Sequence, residues 1–225
     1  PALIWFFLRT ADDKINEQDD VRQWLQETSF RLLWLFNTPR FNFYPSMHEV
    51  LLDLVTFGTS VLRNQNSTSE LNYEAMPLGD SYIDEDEQGN VDTLYREFEF
   101  DAGQAVAEFG RANLPDSILD AQRHGKFEDK FTFIQAIMPR RERDVMMATG
   151  RNKAFASITV SVADKSLVRE SGFDEFPFIV SRWSKTVREM YGRSPAMSVL
   201  PEIKMVNAMS RTLIVAAEKQ ADPPL

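Results

Sequence analysis

Cysteine is absent, and histidine occurs only twice, at His48 and His124. The first absence excludes disulfide scaffolds, thiolate zinc sites and cysteine nucleophiles. The second leaves too few imidazoles for a multi-histidine metal centre. No Walker-type Gly-Lys-Ser/Thr loop and no dinucleotide-binding glycine fingerprint is present, so no ATP-driven motor is encoded. Long hydrophobic runs are missing too. Leu3–Leu8 and Leu32–Phe36 are the longest, far below the ~18 residues of a membrane span. Positive charge is in short supply: 25 Lys and Arg face 34 Asp and Glu, for a net charge of -9. Nucleic-acid readers usually carry the opposite sign.

What remains is ordinary globular material. The chain of 225 residues, 43% hydrophobic and 26% charged, suits one large or two small domains. Its 17 phenylalanines predict an aromatic core. The chain starts at Pro1 and runs at once into Leu3-Ile4-Trp5-Phe6-Phe7, and it ends at Pro223-Pro224-Leu225 just after a helical pattern. Both ends read as cuts through a longer polypeptide.

Hydrophobic spacing predicts a mixed order of elements. Leu3 to Arg9 reads as a strand. Asn16 to Phe36 reads as a helix, with Glu17, Asp19 and Asp20 complementing its dipole. A second helix runs from about Pro45 to Leu54, largely buried through Leu51, Leu52, Leu54 and Val55, and Gly58 breaks it before a strand from Thr59 to Arg63. Asn64 to Glu70 is the polar stretch expected to act as a flexible link. Met76 to Phe100 predicts antiparallel strands turning at Asp86–Asn90, where Gly89 can take positive φ. Asp101 caps a short helix that Gly110 ends, and another helix follows from Pro115 to Gln122. Strands are expected at Phe131–Met138, Phe155–Val162 and Phe176–Trp183, with a tight turn at Ala163-Asp164-Lys165. In the second of these, Ile158, Val160 and Val162 alternate with Ser157, Thr159 and Ser161, which predicts one wet face. The last element is a long helix from about Pro195 to Ala221, its regular part starting near Leu200 because Pro201 is tolerated only in a first turn. Ile203, Val206, Ser210, Leu213 and Ala217 form one apolar stripe along it, and Met205, Met209, Thr212 and Ala216 a second. That breadth suits packing on more than one side. The fold class is α+β, with strands clustered rather than alternating with helices.

Candidate chemical motifs fail on their own terms. Asp84, Asp86 and Gly89 match the first, third and sixth positions of a calcium loop, but the twelfth position is Tyr95 where a bidentate Glu is required, so a solvated hairpin tip is expected. Gly192-Arg193-Ser194-Pro195-Ala196 has the outline of a nucleophile elbow, yet no histidine follows residue 124. Ser194 as a helix cap with Pro195 at the first helical position is the better reading. Arg140, Arg141 and Arg143 are interleaved with Glu142 and Asp144, as on ordinary mixed-charge surface. His48, among Met47, Val50 and Leu51, is expected to be a partly buried, satisfied histidine. No catalytic, cofactor-binding or metal-binding residue emerges, and the chain is not read as an enzyme.

Several ordered blocks carry a resemblance. They are Pro1–Leu8 with Val21–Leu25, Asn42-Phe43-Tyr44 with His48-Glu49 and Asp53–Thr59, and Gly89–Asp92 with Tyr95-Arg96-Glu97, followed by Phe109-Gly110. Gly172–Phe178 with Arg182-Trp183, Tyr191–Ala196, Leu200–Lys204 with Asn207, and Ala221–Leu225 complete the series. In this order the chain resembles the podovirus head-to-tail connector, or portal, family over nearly its whole length. The resemblance implies a wing-like α+β domain over residues 1–190 and a stem helix over 191–225 leading toward a clip region. It also implies a ring of identical subunits, typically a dodecamer, at one capsid vertex of the virion, assembled in the host cytoplasm. Double-stranded viral DNA would be packaged and ejected through that ring. Its partners would be the terminase motor and capsid and tail proteins, with no membrane and no cofactor. On the stem helix, Ile203, Val206, Ser210, Leu213 and Ala217 become candidates for the subunit interface, and Lys204, Arg211 and Lys219 for the channel or DNA-facing side. A net acidic chain fits a passage that must not grip DNA, because phosphate contacts supply most nonspecific affinity. The competing readings are an isolated nucleic-acid-binding module and an unrecognised enzyme domain.

Overall fold

A computed structural model describes residues 4–66, 71–126, 128–144 and 149–221. The segment 4–10 forms no strand. It runs along the second helix instead: the Leu8 amide donates to Ser29 Oγ at 2.9 Å, and the Trp5 ring stacks near Phe36 and Phe43. An apolar run makes a strand only where a neighbouring strand offers a ladder, and here a helix lies alongside. The helices that follow are α1 (Asp13–Asn16), α2 (Asp19–Asn37) and α3 (Phe43–Phe57). Helix α2 buries Leu25, Ser29 and Leu33, one residue every fourth position. Phe36 of α2 stacks on Phe43 of α3 at 4.2 Å between ring centres, and Tyr73 closes the cluster edge-on. Helix α3 stops at Gly58, in the left-handed region at φ 81°, as its sequence predicts. It is not largely buried, however. Val50 and Ser46 face inward, while Leu51, Leu52 and Val55 are exposed, and so is His48.

Strands β1 (Thr59–Asn66), β2 (Leu71–Met76) and β8 (Phe178–Arg182) form a three-stranded antiparallel sheet in the order β2-β1-β8. Asn64, expected in a linker, is instead paired with Tyr73 inside this sheet; residues 67–70 lie outside the described ones. A second, five-stranded antiparallel sheet runs β3 (Ser81–Glu85), β4 (Val91–Asp101), β5 (Lys130–Pro139), β6 (Phe155–Ser161) and β7 (Ser166–Phe173) in chain order. Helices α4 (Ala102–Phe109) and α5 (Asp116–Arg123) fill the β4–β5 connection. A capping box starts α4: the Gln104 amide donates to Asp101 Oδ1, and the Gln104 side chain accepts from the Asp101 amide.

One face of the five-stranded sheet is covered twice. At one end α4 and α5 pack Ala105, Phe109 and Ile118 onto Phe133 and Val168. At the other end the three-stranded sheet packs Val61, Met76 and Phe178 onto Ile83, Leu94 and Ile137. The opposite face carries Tyr82, Tyr95 and Leu167 and is exposed. This layering decides which face of β6 is wet, and it is the apolar one. Ser157, Thr159 and Ser161 are the buried side, at 2%, 3% and 0% exposure, while Ile158 and Val160 are partly exposed. Which face of a strand is covered depends on what other parts of the chain lay over it, and β6 presents its hydroxyls to that cover.

The chain closes with α6 (Pro195–Ser198) and α7 (Leu200–Ala221), the latter 22 residues and so about 33 Å long. No helix among the described residues is long and apolar enough to cross a membrane.

Candidate functional site

The region with the clearest functional demand is α7. Every one of its residues is exposed, and Leu213 is 70% exposed. At about 100° per residue, Ile203, Val206, Ser210, Leu213 and Ala217 fall within about 80° of arc, and Met205, Met209, Thr212 and Ala216 occupy about 60° beside them. Together the two stripes take up about half the circumference. Lys204, Asn207, Arg211 and Glu218 lie on the opposite side, within about 60° of one another. Lys219, grouped with Lys204 and Arg211 by sequence, stands about 60–80° away from both. Glu202 in the first turn and Lys219 in the last complement the helix dipole.

The foot of α7 is held firmly. The Ser194 hydroxyl caps α6, accepting from the Met197 amide at 2.9 Å, and donates to the Thr56 carbonyl of α3 at 2.8 Å. The Gly192 amide donates to Thr59 Oγ1, the Trp183 amide to the Gly58 carbonyl and the Arg193 amide to the Ser184 carbonyl. Gly58 and Gly192 meet backbone to backbone: a Cβ on Gly58 would lie 2.5 Å from the Gly192 carbonyl oxygen. Glu85, from the β3–β4 hairpin, accepts from both Arg182 and Lys185 and ties the approach to α6 onto the larger sheet. Glu189 is held below the usual carboxylate range by its hydrogen bond from Arg193, whose own pKa rises for the same reason.

The other singled-out motifs are structural. Asp86 accepts from the Gln88 and Asn90 amides and from the Asn90 side chain, which lowers its pKa and shapes a hairpin tip. Arg140 pairs with Glu170 at 3.3 Å. Among the described residues, no group of three or more His, Asp or Glu could hold a metal ion.

An isolated helix in water is marginal, and in folded proteins its stability comes from an apolar face packed on something else. The closely packed body carries a half-apolar helix that its own described residues leave bare, and such a face calls for packing against something beyond them. The family model for bacteriophage head to tail connecting protein matches residues 1–225, and the chain belongs to that family. It is 31% identical over 228 residues to the probable portal protein of Bordetella phage BPP-1, and 30% identical over 229 residues to the portal protein of Salmonella phage epsilon15. Each alignment covers 100% of this chain and 41% of the relative, so the chain spans about two fifths of the length of these curated relatives.

Proposed function

We propose that this chain is the wing-and-stem portion of a portal subunit, with a structural role and no catalytic one. Residues 1–190 serve as the wing-like body and 191–225 as the stem leading toward a clip. Copies assemble into a ring, a dodecamer, at one capsid vertex of the virion, having formed in the host cytoplasm. Double-stranded DNA passes through the ring during packaging and ejection. The terminase motor docks on it first, and tail proteins attach later. The observation that carries this reading is the uncovered apolar half of α7. Two stripes side by side are what a helix needs when identical copies flank it, and the polar strip of Lys204, Asn207, Arg211 and Glu218 is left for the channel. Lys219 stands apart from that strip and takes a flanking position.

The test is the mass and shape of the full-length protein. Images and native mass should show a closed ring for the wild type and dissociated subunits for the double substitution Val206→Asp with Leu213→Asp. A wild-type protein that stays a lone subunit, or a double variant that still closes, overturns the proposal. The channel assignment has its own test. Glu218→Lys adds a phosphate contact to the polar strip and should slow packaging; an unchanged rate would take Glu218 out of the channel.

A further inference from the structure

The covered face of the five-stranded sheet carries a polar row that neither hydrophobic core uses. Ser81, Arg96, Gln135, Thr159 and Arg169 stand directly opposite one another across all five strands. Leu94 and Ile137 of one core lie on one side of the row, and Phe98 and Phe133 of the other core lie on the other side. A register shift after Thr159 turns two consecutive residues of β7 to the covered face: Val168 enters the core under α4, and Arg169 joins the row. The two covering layers do not meet above this row. They leave a cleft of about 380 Å³, with Arg63 from β1 on one rim and Glu108 from α4 on the other.

Three guanidiniums converge there, and two are already matched. Arg63 pairs with Glu74 at 3.4 Å, and Arg169 pairs with Glu108 at 2.9 Å. The Arg96 guanidinium makes no ion pair and no hydrogen bond among the described residues, and its central carbon lies 4.7 Å from the centre of the Phe98 ring. Burial, and after it the Arg63 charge, lowers its pKa, with Glu74, Asp80 and Glu108 acting in the opposite sense. A guanidinium lying over a ring face spends no hydrogen-bond donor on it, leaving its N–H groups for a planar, two-oxygen acceptor.

We propose that this cleft is a carboxylate-binding site, in which Arg96, with Gln135 beside it and Thr159 one strand further along the row, receives a single carboxylate group. One unmatched cation suits one monoanion. A nucleic-acid backbone would need a broad unpaired basic surface, which a recessed cleft in a chain of net charge -9 does not offer. The assignment holds whether or not the chain assembles into a ring.

The experiment uses the full-length protein and sodium acetate as the probe, reading saturation transfer from protein to the acetate methyl by NMR. Sodium chloride, sodium phosphate and sodium glutarate serve as competitors at matched ionic strength. Transfer should be saturable, survive chloride and be displaced by phosphate no more readily than by glutarate. Arg96→Gln should weaken acetate binding about tenfold or more, since a charge-assisted hydrogen-bonded pair is lost. Thr159→Val should weaken it less, with the fold intact. If Arg96→Gln does not fold, Arg96→Lys, which keeps the charge and loses the planar fork, takes its place and should also weaken binding. Loss of the signal in chloride, equal binding by the Arg96 variant, or tighter displacement by phosphate would each overturn the carboxylate assignment.

Discussion

The two ends of this molecule are made of similar residues and treat them in opposite ways. In the body, Leu94, Ile118, Phe133 and Ile137 are sealed from water by two layers laid over one sheet. In α7, Ile203, Met205, Val206, Met209, Leu213 and Ile214 are all open to solvent. Apolar content alone therefore does not place a residue in a core. A core needs a second surface, and α7 has none within the described residues.

Substitutions can sharpen that contrast. The largest effect is expected at Leu94, where truncation to alanine leaves a cavity between the sheets and should cost about 2–5 kcal/mol in urea denaturation. Leu213→Ala, measured in the unassembled protein, should change stability by no more than about 0.5 kcal/mol, as for any surface site. A comparable loss at both positions would mean that α7 is packed against its own body. Gly58→Ala should come next, at about 2 kcal/mol or more, because it combines a positive φ with a backbone collision at Gly192. Ser194→Ala removes the cap of α6 and the bond to Thr56, and should cost about 1–2 kcal/mol by the same assay.

The smallest effect concerns pH. The folded state lowers the pKa of Asp86, so its contribution is full above the unfolded value of about 3.9 and fades as pH falls through the folded one. Asp86→Asn should remove that contribution, lowering neutral stability slightly, leaving stability at the lowest pH nearly unchanged and so flattening that part of the acid limb. Unfolding midpoints compared between pH 5 and pH 2 would show whether it does.

The sequence was most legible where structure is set locally. The Asp101–Gln104 capping box, the stop at Gly58, the Ser194-Pro195 helix start and the turn at Asp86–Asn90 all form as their residues imply. Stripes on α7 were legible for the same reason, since 3.6-residue periodicity needs no partner. What could not be read depends on distant layers. Leu3–Arg9 looked like a strand, but its described residues 4–9 found a helix beside them, and α3 looked buried but met the smaller sheet on one side only. β7 escaped notice because Arg169, Glu170 and Ser171 break its alternation, and β2 because its short alternation of Leu71, Tyr73 and Ala75 follows directly on a polar stretch. The hydroxyl face of β6 is buried because cover from α4, α5 and β1 arrives on that side, and with it comes the row around Arg96 that no linear motif announces.

The meeting of Gly58 and Gly192 has a consequence for geometry. With no side chain between the two main chains, the point from which the α6–α7 segment leaves the body is set by peptide groups that cannot repack around a substitution. Surface residues can then drift while that anchor stays the same from copy to copy, which the ring proposed above would require of every subunit.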